Sequence, residues 1–129
     1  MTTALVDTSV LIHLFRKRPE ARKWFDAQTS TLSVSTITWL EFIDGVPNKA
    51  GQALCLSILS DLELIRLTDE DQDWAMQQLS RYRLSDGVHP DDCLIAAVCH
   101  RLQVPIYTHN VKDLVKLLPE TLVIRPFIA

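Results

Sequence analysis

Short apolar runs alternate with longer stretches of helical period along the whole chain. Residues 3–8, built on Ala4-Leu5-Val6, read as a buried strand. Residues 9–17 place Val10, Leu11, Leu14 and Phe15 on one face, the spacing of an amphipathic helix. Pro19 suits the first turn of a second helix, which carries Trp24 and Phe25 and runs to about Ala27. Leu32-Ser33-Val34-Ser35 alternates as a strand does, and Ser35 or Thr36 can cap a helix ending near Gly45. Residues 49–60 form another amphipathic segment, and residues 62–67 a strand. Thr68 or Asp69 caps a helix from 70 to about 83, and residues 85–89 read as a loop. Pro90 opens a helix through Leu102. A strand at 105–108, a short helix at 110–118 and a strand at 122–125 complete the pattern.

Strand–helix alternation with short connections predicts an α/β fold of three α/β/α layers, its central, mostly parallel sheet flanked by helices. A chain of 129 residues with 47% apolar residues can fill one core, so residues 1–129 are expected to form one domain. No apolar stretch approaches the ~20 residues of a membrane span, and Met1-Thr2-Thr3 lacks the basic start of a secretory signal. The expectation is a cytoplasmic protein without membrane attachment. Cys55, Cys93 and Cys99 lack paired metal-ligand spacing and fit buried thiols. A net charge of −3 counts weakly against a polynucleotide ligand, but Arg16, Lys17, Arg18, Arg22 and Lys23 cluster, and local charge steers a phosphate backbone.

Acids embedded in apolar sequence carry the candidate chemistry. Asp7 ends the first strand, where an unpaired carboxylate costs several kcal/mol, so a compensating cation is implied. It could also be a helix cap, although Thr8 and Ser9 could serve as well, or could instead orient the carboxylate. Glu41 fits a capping box with Thr38; if Ser35 or Thr36 is the cap, it falls mid-helix near the apolar stripe. Asp92 shares the inward face of Ile95, Val98 and Cys99, whereas Asp91 is expected to be solvated and Asp86 to be a loop acid. Asn110 and Asp113 compete for a fourth place. In parallel sheets, sites form beyond the carboxyl ends of the strands, where these segments could meet. A metal-free nuclease built on His13, His89, His100 and His109 is a weaker alternative, with His89 and His109 near the pocket rim.

The segments Leu5-Val6-Asp7-Thr8-Ser9-Val10-Leu11-Ile12, Ser35-Thr36-Ile37-Thr38-Trp39-Leu40-Glu41-Phe42, Asp92-Cys93-Leu94-Ile95-Ala96-Ala97 and Thr108-His109-Asn110-Val111-Lys112-Asp113-Leu114, in this order, resemble PIN-domain proteins, specifically VapC-type toxin ribonucleases. The resemblance implies a PIN-like fold and an Mg²⁺ or Mn²⁺ pocket with Asp7, Glu41 and Asp92 as ligands and Asp113 as the fourth catalytic acid, unless Asn110 stands in its place. Thr8, Ser9, Thr108 and Asn110 would support the ligands. It further implies an endoribonuclease that hydrolyses RNA phosphodiesters, a cognate antitoxin and a homodimer. Arg16, Lys17, Arg18, Arg22 and Lys112 are candidate RNA contacts. Two other readings stand beside it: an inactive PIN-like RNA-binding module, and an aspartate-dependent phosphotransfer protein. The second lacks an acid two residues after Asp7, and Lys112 alone favours it.

Overall fold

The computed structural model describes residues 2–129. Five strands, β1 (Ala4–Val6), β2 (Leu32–Ser35), β3 (Glu63–Ile65), β4 (Ile106–Tyr107) and β5 (Val123–Ile124), pair in parallel in the order β3-β2-β1-β4-β5. The chain builds outward from β1 through β2 to β3, then returns to add β4 on the other side of β1. The boundary between β1 and β4 is therefore a topological switch point, where crossovers leave in opposite directions and open a crevice. Val6 pairs with Tyr107 in register, so Asp7 and Thr108 emerge side by side there.

Every residue of β1 is buried, and its side chains alternate between faces. Ala4 and Val6 join Val10, Leu11, Leu14, Phe42, Cys55 and Ile58, from helices α1 (Thr8–Phe15), α3 (Thr36–Asp44) and α4 (Lys49–Ser60). The short α2 (Pro19–Asp26) adds Ala21 to this layer. On the opposite face Leu5 meets Ile95, Val98 and Cys99 of α6 (Pro90–Leu102) and Leu114 of α7 (Val111–Leu114). The long α5 (Asp69–Asp86) packs outside α6 through Ala75, against Val88, Cys93 and Ala97. No helix among the described residues is long and apolar enough to cross a membrane.

Several element ends differ from the sequence expectation, each for a local reason. The first helix starts at Thr8 and stops at Phe15, because Lys17 turns left-handed at φ 58°. The fifth helix reaches Asp86, so Ser85 and Asp86 are helical rather than looped; its terminator is Gly87, at φ 69°. The last helix spans only Val111–Leu114, and turns carry the chain to Pro119, whose ring disfavours helical geometry just before it. Strand β3 lies at the sheet edge and pairs over only three residues.

Asp71 anchors the start of α5. Its Oδ2 accepts from Thr68 N at 3.0 Å, its backbone N–H donates to Thr68 Oγ1, and its Oδ1 accepts from Arg101 Nε at 2.8 Å. Burial opposes the charge, but the Arg101 guanidinium and the Thr68 amide outweigh it and hold the carboxyl below its ordinary range. Asp71→Ala is expected to cost about 2 kcal/mol in urea unfolding at pH 7, since it strands Arg101 and removes half of a capping box. The penalty shrinks only once pH falls below the ordinary carboxylate range and through the lowered folded value, where the wild-type carboxylate itself becomes protonated; a penalty that does not shrink in that range would count against this account.

Candidate functional site

Asp7 closes β1 and caps α1, so the capping role and a buried site coexist in one residue. Its Oδ1 accepts from Thr8 N at 2.8 Å. Its Oδ2 accepts from Thr108 Oγ1 at 2.7 Å and from Ser9 Oγ at 3.1 Å. Both hydroxyls are aimed by backbone amides: His109 N donates to Ser9 Oγ at 3.0 Å and Asn110 N to Thr108 Oγ1 at 2.8 Å. Each hydroxyl oxygen thus accepts a hydrogen bond from an amide and donates one to Asp7. The Oδ2 lone pairs are filled, while Oδ1 keeps one free. Burial raises the Asp7 pKa, with the three donors pulling the other way.

Ser35 caps α3, its Oγ accepting from Thr38 N, so Glu41 falls mid-helix. Its Oε1 accepts from Thr8 Oγ1 at 2.8 Å, which ties α3 to the start of α1. Burial, opposed by the Thr8 bond and reinforced by the Asp91 carboxyl within hydrogen-bonding reach and by the Asp7 charge, lifts Glu41 to about 7. Asp92 is buried in the first turn of α6. Burial, then the charges of Asp91, Asp7 and Asp113, raise it to about 6, with His89 acting against them.

Asp91 is exposed, as expected, yet its charge acts on Asp7, Glu41 and Asp92 alike. The readable signal was the position of α6, since a helix whose first turn brings Asp92 to the sheet edge brings Asp91 there too. Asp113 is half-buried, felt at Asp92, and bound to Lys116 Nζ at 3.2 Å. Asn110 forms no side-chain cap and contributes its backbone N–H instead.

The histidines do not gather into a metal-free centre. His89 is exposed at the start of α6, and the ring of His100 stacks on Trp74. His89 is near enough to the acids for its charge to act on Asp92, and the His109 ring lies 4.9 Å from that of His13 and 4.7 Å from that of Phe127.

Of the basic candidates, Arg16 lines a groove of about 170 Å³ with Thr8, Phe15, Phe42 and one of the acids, Glu41. Arg22 is turned along its own helix, pairing with Asp26 at 3.3 Å and lying over the Phe25 ring. Lys17, Arg18 and Lys112 are exposed and form no ion pair among the described residues.

The donor set at this crevice is carboxylate oxygen, which suits a hard cation such as Mg²⁺ or Mn²⁺. Among the described residues no three His, Cys, Asp or Glu side chains are already drawn into a ligand shell.

A parallel sheet whose switch point holds a hydroxyl-braced aspartate among further acids defines the class, and the chain belongs to the PIN domain family, whose profile matches residues 4–114. A comparison with curated protein sequences finds no significant match. Among solved structures the chain is similar to a toxin–antitoxin complex from Klebsiella pneumoniae, with 25% identity, a TM-score of 0.80, and coverage of 98% of this chain and 99% of that one. It is also similar to the DNA-bound VapBC of Salmonella typhimurium, at 22% identity and TM-score 0.76, covering 96% and 98%. The VapC20 toxin of Mycobacterium tuberculosis, which cleaves the sarcin–ricin loop, aligns at 13% identity and TM-score 0.72, covering 91% and 97%; that likeness is one of fold.

Proposed function

We propose that this chain is the toxin of a toxin–antitoxin pair, a VapC-type endoribonuclease that uses Mg²⁺ or Mn²⁺. What supports the reading is the mutual influence of the acids: the charges of Asp91 and Asp7 act on Glu41 and Asp92, that of Asp91 also on Asp7, and that of Asp113 on Asp92, with Lys116 the one cation paired to any of them among the described residues. The full-length match to a toxin–antitoxin complex at 25% identity supports the partner class. The metal is inferred from the acids themselves, and a soluble antitoxin, a homodimer and a cytoplasmic site of action belong to the same proposal.

Asp7 and Asp92 are the proposed principal ligands, and Asp7 would bind through the lone pair left free on its Oδ1. When bound, the cation supplies charge neutralisation at the phosphodiester and a more acidic water. Thr8 holds Glu41 by its Oε1, leaving the other carboxylate oxygen to take a proton from the attacking water. Ser9 and Thr108 keep Asp7 from rotating, so it would take a cation without reorganisation. Asp113, tied to Lys116, is the proposed outer acid, and Arg16 is the best-placed phosphate contact. Lys17, Arg18 and Lys112, exposed and without an ion pair among the described residues, are further proposed contacts to the RNA backbone. A phosphotransfer role fits less well, because a nucleophilic Asp needs an unencumbered oxygen, and Asp7 has three donors on its carboxylate.

Incubation with total RNA tests the reading. Cleavage is expected with millimolar Mg²⁺, none with EDTA, and recovery when Mn²⁺ is added. Cleavage that persists in EDTA, or none under any metal, would overturn it.

A further inference from the structure

Phe127 lies outside the segment matched by the family profile, yet it touches the site's support. Strand β5 brings it there. Thr108 N donates to Ile124 O at 2.9 Å, and the chain then turns so that the Phe127 ring lies 4.7 Å from His109, 5.8 Å from His13 and 5.9 Å from Trp24. Trp24 in turn sits edge-on to Tyr107 at 5.0 Å, against the last residue of β4.

The two imidazoles in this cluster are unusual. Both ring nitrogens of His109 and Nδ1 of His13 are shielded from solvent without a hydrogen-bond partner in the protein. Whichever tautomer His109 adopts, one buried N–H lacks an acceptor. No hydrogen bond therefore fixes the orientation of this ring. Contact with His13 and Phe127 is what holds it, and its edge-on angles of 81° and 67° are those aromatic pairs prefer. The backbone of the same residue donates to Ser9, and the next residue donates to Thr108; those hydroxyls fill both lone pairs of Asp7 Oδ2.

We infer that Phe127 is a positioning residue for the acidic crevice: by clamping the His109 ring against His13, it seats the backbone amides of His109 and Asn110 that aim Ser9 and Thr108 at Asp7. The consequence for metal binding rests on the proposed reading of Asp7 as a ligand, while the clamp itself does not. A purely structural Phe127 would close the aromatic cluster with Trp24 and Tyr107 and affect stability alone.

Amide hydrogen exchange and Mn²⁺ binding followed by electron paramagnetic resonance separate the two. In Phe127→Ala, the His109 and Asn110 amides are expected to exchange at least tenfold faster, with Val98 and Cys99 in α6 unchanged. Mn²⁺ affinity should fall about tenfold, the scale of losing a group that orients a ligand. Phe127→Tyr, which keeps the ring, should restore both. Unchanged exchange at 109 and 110, uniform acceleration throughout the chain, or selective acceleration with unaltered Mn²⁺ affinity would each overturn the inference. Should the wild type bind no Mn²⁺, the nuclease reading fails instead, and the clamp stands or falls on exchange alone.

Discussion

Asp7→Asn is expected to lower RNA cleavage by about a thousandfold or more, a loss of about 4 kcal/mol in transition-state stabilisation, while the protein stays folded. The fold survives because the site tolerates an amide. The asparagine oxygen can accept from Thr8 N, and its NH₂ can donate to Ser9 and Thr108, whose hydroxyls rotate to accept. What disappears is the negative charge, and with it the main reason for a cation to remain. Because burial already disfavours the Asp7 carboxylate, the metal-free variant should melt no lower than wild type at pH 8. Cleavage rates on a defined RNA, alongside thermal melts, decide the matter. Activity within about tenfold of wild type would assign the cleavage to another site or another protein.

The second large effect concerns stability without metal. Glu41 and Asp92 are held at about 7 and about 6, both above their ordinary values. The folded state thus binds their protons more tightly than the unfolded chain does. Their contribution is complete below the unfolded pKa values and is lost as pH rises through the folded ones. Between pH 5 and pH 8 the loss should reach about 3 kcal/mol, after discounting half-exposed Glu41 for solvent screening. His13 and His109 run the other way. Burial, with the charges of Arg18 and Arg16 at His13 and of His13 and Arg125 at His109, keeps both below the usual imidazole range. Their effect cancels when wild type is compared with a Glu41→Gln/Asp92→Asn variant in denaturant titrations with EDTA. The variant should lack the decline, and Mg²⁺ should restore the wild type at pH 8 but not the variant. Parallel pH profiles for the two proteins would refute the electrostatic account.

Most of this architecture could be read from the chain because its physics is local. A three-residue apolar run ending in an acid located β1 and Asp7 together. The Ser35 cap set the phase that turns Glu41 toward the first strand, and the i, i+3 relation to Ile95 set that of Asp92. What escaped depends on distance in space. Asp91 looked solvated because its own helix leaves it exposed, and only the approach of α6 to α3 places it beside Glu41. The choice between Asn110 and Asp113 had no answer in spacing, since one contributes a backbone amide and the other a charge. The aromatic contact between His13, His109 and Phe127 joins residues from opposite ends of the chain, and no periodicity reports it. The end of α5 was missed for a simpler reason: Gly87 stops the helix in a left-handed turn, and the polar residues before it looked like a loop already.

The crossover that places β4 beside β1 has a consequence during synthesis. A chain translated only through α5 already carries Asp7 and Glu41, but neither the acids of α6 and α7 nor the Thr108 hydroxyl that steadies Asp7. On the proposed function, a partly made polypeptide is harmless to the RNA of the ribosome that builds it, and danger begins only when the late segments dock. An inhibitor made in step with the chain has that interval in which to arrive.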